Sequence, residues 1–193
     1  TATVSFTVPQ TIAIAERCRA GRRRAISAGI EPGKCFAVIM IGRVDDHLKR
    51  VAEREKIATA PGVLDWAGIA VFKHAHRIFQ RRGYPGTLLV AAYRHEAHWS
   101  QVIGREVLQT IPYVWWTKFN VSATAPALTL DQPVDGAILA ELRGKFPDFI
   151  RAHDDDAMKP AEFLGYGATV NTLSQFLGGY ADLVAHVRAR MLT

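Results

Sequence analysis

Short apolar runs alternate with longer amphipathic stretches along the first two thirds of this chain. Ala37-Val38-Ile39-Met40-Ile41 and Leu88-Leu89-Val90-Ala91-Ala92-Tyr93 are almost uninterrupted apolar segments, the pattern of strands buried on both faces. Residues 1–7 are rich in β-branched side chains and read as a further strand, and residues 106–111 as a weaker one. Between these runs the apolar positions take a helical period. A helix is predicted over residues 9–24, with Pro9 in its first turn, and a strongly charged one over residues 43–58. Residues 64–82 form a longer one, with Ile69, Phe72, Ala75, Ile78 and Phe79 three or four apart. Glu31-Pro32-Gly33, Ala60-Pro61-Gly62 and Gly83-Tyr84-Pro85-Gly86 punctuate the elements, and short helices follow at residues 96–103 and from Pro112. Such alternation predicts an α/β protein with strands 1–7, 35–41, 88–93 and 106–111 parallel and adjacent in that order, joined by helical crossovers.

The alternation ends in a loop at residues 122–133. Helices are predicted over 134–150 and 169–191, the last with Leu173, Phe176, Leu177, Tyr180, Leu183, Val184 and Val187 on one stripe. That stripe calls for cover by a barrel or a neighbouring subunit. Four parallel strands with two apolar faces also need cover on both sides. The expectation is one domain over 1–193, in which residues 1–120 are the last four βα units of a barrel and 121–193 a helical extension. A missing N-terminal half or second chain would complete it. The start at Thr1, inside a predicted strand, agrees with that expectation.

Composition narrows the classes. At 193 residues and 49% hydrophobic, the chain can build one sizeable core. No run of eighteen apolar residues marks a membrane span, and no basic-then-apolar leader is visible. Cys18 and Cys35 fit no CxxC or metal pattern and are expected as reduced thiols of a cytoplasmic protein. The net charge of +6 owes much to Arg17, Arg19, Arg22, Arg23 and Arg24. Without stacking aromatics beside them they are read as a solvated helix end, not a nucleic-acid surface. His74 and His76 point to different helix faces, and His95 and His98 are read as surface histidines rather than metal ligands. Asp154-Asp155-Asp156 lacks alternating oxygen ligands and reads as a solvated loop, and Trp115-Trp116 as packing aromatics.

The chemistry lies at the strand ends. One apolar run leads into Gly42-Arg43-Val44-Asp45-Asp46, the other into Tyr93-Arg94-His95. Two buried strands that each deliver a guanidinium at the C-terminal end describe an anion pocket at the top of a parallel sheet. Four segments, in order, resemble the later strands of the transaldolase family. Thr1-Ala2-Thr3-Val4-Ser5-Phe6 resembles Asn-x-Thr-Leu-x-Phe, and residues 37–46 resemble Ile-Ser-Pro-Phe-Val-Gly-Arg-Ile-Asp-Asp. Ala91-Ala92-Tyr93-Arg94-His95 resembles Ala-Ser-Phe-Arg-Asn, and Leu108-Gln109-Thr110-Ile111-Pro112 loosely resembles Leu-Thr-Ile-Ser-Pro.

The resemblance implies a (β/α)8 (TIM) barrel, the C-terminal part of a class I aldolase-type transferase of carbohydrate metabolism. Such an enzyme moves a ketol unit between sugar phosphates through a lysine Schiff base, with no metal or organic cofactor. It implies that Arg43 and Arg94 hold the substrate phosphate and that Thr3 positions a catalytic water. The family's serines in the two middle strands are Val38 and Ala92 here, its first asparagine is Thr1, and Met40 replaces an aromatic. The Schiff-base lysine belongs to an earlier strand, and no lysine here stands at a strand end: Lys73 falls mid-helix and Lys34 before a strand. The expected partner is therefore a sugar phosphate, bound by a chain that holds the anion-binding half of the site, with a homo-oligomer compatible. The rival expectations are a related aldolase with altered sugar specificity, and a non-catalytic half-barrel that binds an anion or a partner chain.

Overall fold

The computed structural model describes residues 1–191. In chain order its elements are α1 (Val8–Ser27), β1 (Phe36–Met40), α2 (Ile41–Glu55), α3 (Ala67–Arg82), β2 (Thr87–Ala91), α4 (Ala97–Ser100), β3 (Val107–Gln109), α5 (Tyr113–Asn120), α6 (Gly136–Lys145), α7 (Pro147–His153) and α8 (Gly167–Met191). Short 3-10 helices at Val63–Trp66 and Pro160–Gly165 precede α3 and α8. The three strands form one parallel sheet in the order β1-β2-β3, with Val38 opposite Leu89 and Leu89 opposite Leu108. This is a mixed α/β fold, mostly helical, around a small parallel sheet.

Residues 1–7 take the predicted place beside β1 without forming the predicted strand. The Ala2 amide donates to the Phe36 carbonyl and the Ala2 carbonyl accepts from Val38, a parallel bridge. The next rung should use the Val4 carbonyl, yet Met40 donates to Ser5. Val4 stands at φ 57°, so one extra residue is bulged out and the ladder stops. Ser5 secures the junction by donating its hydroxyl to the Val38 carbonyl at 2.6 Å. Thr7 then caps α1, accepting from the Gln10 amide while the Gln10 side chain accepts from the Thr7 amide, a reciprocal box that satisfies two otherwise orphaned donors.

α2 and α3 pack on each other, and α1 also lies against α3. Ile39, Ile41, Val44, Leu48, Ile69, Phe72, Ile78 and Val90 are fully buried between these layers. Gly83 ends α3 at φ 55°, a left-handed cap that glycine adopts without strain. The single helix predicted over 134–150 is two, because Pro147 cannot donate to a preceding turn and opens α7 directly after Phe146. Phe176, Leu177, Tyr180 and Leu183 on α8 are each about half exposed or more. No helix of the described residues is long and apolar enough to cross a membrane.

Candidate anion site

β1 passes into α2 with no loop between them, since Met40 is both the last strand residue and the helix N-cap. Gly42 and Arg43 therefore lie in the first helical turn, directly above the strand, and Arg43 belongs to the helix rather than to the strand end. Glycine is required here. A Cβ on Gly42 would stand 2.0 Å from the Ala92 carbonyl oxygen and 2.8 Å from Cγ of Arg94. Ala92, just past β2, is itself at φ 66°, a left-handed bend uncommon for a residue with a side chain. The bend turns the chain over the α2 start and lays Cγ of Arg94 against Gly42.

Arg94 is held in a fork by Asp46. Its Nε donates to the two carboxylate oxygens at 3.2 and 3.0 Å and its Nη2 to Oδ2 at 2.8 Å, while Nη1 donates to the Tyr93 carbonyl at 2.9 Å. Arg43 donates one Nη1 bond to Gln175 on α8. Its Nε is buried and has no hydrogen-bond acceptor among the described residues. Burial pulls the Arg43 pKa below its ordinary value, and the nearby charges of Arg94 and Arg50 pull the same way against Asp46. Asp46 is bonded to Arg94, and Arg43 feels the charges of Arg94 and Arg50 against that one carboxylate. An excess of guanidinium over carboxylate is the charge balance that suits an anion.

Beneath the arginines lies a second constellation. Asp45 is fully buried. Its Oδ1 accepts from the Gly68 amide at 2.8 Å, at the start of α3, and its Oδ2 faces Nε2 of His98 at 2.7 Å and Nε2 of His95 at 3.4 Å. Burial opposes ionisation of Asp45, but the bonds from His95, His98 and Gly68 outweigh it and hold the carboxyl below its ordinary pKa. The expectation of surface histidines is corrected here: His98 is fully buried, because the turn at residues 95–97 directs it under Arg94 rather than to solvent. Asp45, His95 and His98 bring their ligand atoms within 4.8 Å of one another, the spacing of a metal site. The hydrogen bonds argue otherwise. Nδ1 of His98 accepts from the Arg94 amide at 3.0 Å, so the proton of the neutral ring sits on Nε2 and is given to Asp45. A metal at Nε2 would need that proton removed while Nδ1 remained an acceptor, which means an imidazolate.

Thr3 stands apart from the arginines. It is exposed and lines a groove of about 620 Å3 with Arg17, Cys18, Cys35 and Phe163. The bridge at Ala2 places it near the level of Val38, below the α2 start. A cavity of about 390 Å3 lies at the opposite end of β2, walled by His76, Tyr84, Gly86 and Glu106. Neither cavity has Arg43 or Arg94 in its wall. Val38, at the position of a family serine, is buried in the sheet. Lys73 is 1% exposed within α3 and donates to the carbonyls of Thr129 at 2.7 Å and Gln132 at 2.8 Å. Burial and the neighbouring Arg77 charge lower its pKa to about 8. This amine ties down the 122–133 loop and is not presented at a strand end. Trp115 packs against Phe119, while Trp116 is half exposed beside Tyr113.

Gln175 and the Asp45–His98 pair escape a reading of the sequence alone. The signal available for the pair was a histidine four residues past Arg94 and an aspartate two past Arg43. Its meaning depends on the strand ends meeting. No family model matches the chain, and no curated protein matches its sequence.

Proposed function

We propose that this chain carries the phosphate-binding part of a transaldolase-like (β/α)8 site, with residues 1–120 as its later βα units and a sugar phosphate as ligand. The proximity of Arg43 and Arg94 carries the reading. Cγ of Arg94 lies against Gly42, next to Arg43 in the chain, the Arg94 charge acts on Arg43, and the buried Nε of Arg43 has no acceptor among the described residues. The four segments resembling the family support the same assignment, as does the parallel order of the strands. In the assembled site the arginines hold the anionic end of a ketose phosphate and orient its carbonyl toward a lysine supplied from outside residues 1–193. Thr3 would act through a water from the first segment. The setting proposed is the cytoplasm.

Each charge-assisted bond to the anion contributes about 1.5–3 kcal/mol. Arg43→Ala or Arg94→Ala should therefore weaken ketose phosphate binding about tenfold or more by calorimetry. The unphosphorylated ketose should bind weakly to all forms alike. Equal affinity in the variants and the parent would remove the proposal.

The second reading is a subunit that binds an anion or a partner chain without turnover; under both readings Lys73, engaged by two carbonyls, supplies no imine. Schiff-base chemistry requires an amine within reach of the carbonyl while the clamp holds the far end. Borohydride reduction in the presence of a ketose phosphate separates the cases, because it converts any imine into a stable mass increase. No adduct should form on this polypeptide alone under either reading. Trapping that appears when an upstream fragment is supplied would support the split enzyme, and an adduct on a lysine of residues 1–193 alone would contradict the division of roles.

A further inference from the structure

We infer that His98 is the positioning residue of the anion site, fixing the backbone of Arg94 from below as a neutral imidazole whose orientation is set by Asp45. The inference rests on the arginine pair being an anion site, and it adds what holds that pair in place and when it is released. The chain of bonds is continuous. The Gly68 amide at the start of α3 donates to Asp45, Nε2 of His98 donates to the same carboxylate, and the Arg94 amide donates to Nδ1 of His98. Arg94 follows a left-handed alanine by two residues, and no strand pairing includes it. The Nδ1 bond therefore takes the place of a ladder bond and fixes the point from which the guanidinium projects. Asp46 then fixes the other end of the side chain. Held at both ends, Arg94 loses little further freedom when an anion arrives, which favours binding.

The same geometry makes the site sensitive to acid. A second proton on His98 can go only to Nδ1, where it would face the Arg94 N–H donor to donor. The groups around the ring are Asp45 from α2, His95 and Arg94 from its own segment, and the edge of Tyr93. Asp65 approaches His95 from the 3-10 turn at 3.9 Å and is itself paired with Lys49. Burial lowers the His98 pKa against the upward pull of Asp45, and the charges of His95 and Arg94 lower it further. The neutral ring is thus kept through neutral pH. The Arg94 bond should be lost only on the acid side of the ordinary imidazole value of about 6.5.

Inorganic sulfate is the suitable probe, since it stays dianionic across the range of imidazole titration. The full chain should bind it with constant affinity above neutrality and with falling affinity below the imidazole range. His98→Ala, which leaves the Arg94 amide without its acceptor, should bind roughly five- to tenfold more weakly at neutral pH. His98→Asn offers an oxygen near the place of Nδ1 that does not titrate, so it should keep most of the affinity and lose the acid fall. Nitrogen-15 resonances of His98 in the unaltered chain give a readout that needs no ligand and no variant: a neutral ring protonated at Nε2 is expected. A ring protonated at Nδ1, or a folded His98→Ala that binds sulfate as the parent does while Arg94→Ala does not, would overturn the inference alone. Sulfate binding unmoved by Arg43→Ala and Arg94→Ala would overturn the anion-site reading and this inference with it.

Discussion

Asp45→Ala should lower the unfolding free energy by about 3–5 kcal/mol, the range for breaking a fully buried, hydrogen-bonded charged group. Asp45 is the acceptor for the Gly68 amide and the His98 Nε2 proton, and both lie in the interior. Removing it leaves two buried donors unsatisfied in the seam between α2, α3 and the Arg94 segment, each at a cost of about 1–3 kcal/mol. Asp45→Asn keeps one carbonyl oxygen and should lose less. Urea denaturation gives both numbers. The acid limb carries the same signature. Because folding holds the Asp45 pKa below its ordinary value, its contribution is complete above the unfolded value of about 3.9. It is lost as pH falls from there through the folded value. Asp45→Ala should therefore have a flatter stability profile below about pH 4 than the parent. A loss under about 1 kcal/mol at neutral pH, less than one unsatisfied buried donor costs, would mean that the Asp45–His98 pair does not organise this seam.

Gly42→Ala should be nearly as damaging and should also strike the site. The added Cβ meets a backbone oxygen at 2.0 Å, and the nearer side-chain atom, Cγ of Arg94, is pinned by the Asp46 fork. Neither neighbour is the free end of a flexible side chain, so the strand–helix junction or the Ala92 bend has to move. Overpacking of this kind costs about 1–3 kcal/mol and sometimes more, and here the upper part of that range is expected. The shift should also separate Arg94 from Arg43, weakening sulfate binding about tenfold in protein that remains folded. Gly136→Ala is the control, since a Cβ added there would meet nothing within 4 Å. If Gly42→Ala behaved like Gly136→Ala, the close approach of the two strand ends would not be needed for the site.

Much of this architecture was legible because periodicity reports burial directly. The apolar runs around Val38 and Val90 are strands, and the stretch from Ile69 to Phe79 is one face of a helix. The first segment fell short of a strand because a β-branched run says nothing about a residue at φ 57°, which is where the ladder ends. Pro147 was visible and should have divided residues 134–150. The two arginines were legible as residues at the tops of apolar runs. What holds them was not. Asp46 as a fork for Arg94, Gln175 as a partner of Arg43 from 132 positions away, and His98 as a buried acceptor all depend on which segments meet. A histidine after a strand gives no sign in sequence of whether it faces water or an amide.

If Arg43 and Arg94 act as one anion site, their own side-chain resonances respond together to an anion. Titrating the nitrogen-15-labelled chain with inorganic sulfate should move the Nε signals of Arg43 and Arg94 together, saturably, with one shared dissociation constant, while the exposed Arg23 and Arg24 on α1 stay nearly still. The Arg43 signal should move more, because its Nε has no acceptor among the described residues before the anion arrives, whereas the Arg94 Nε is already bonded to Asp46. Independent titration of the two signals, or a response confined to the arginines of α1, would contradict the account.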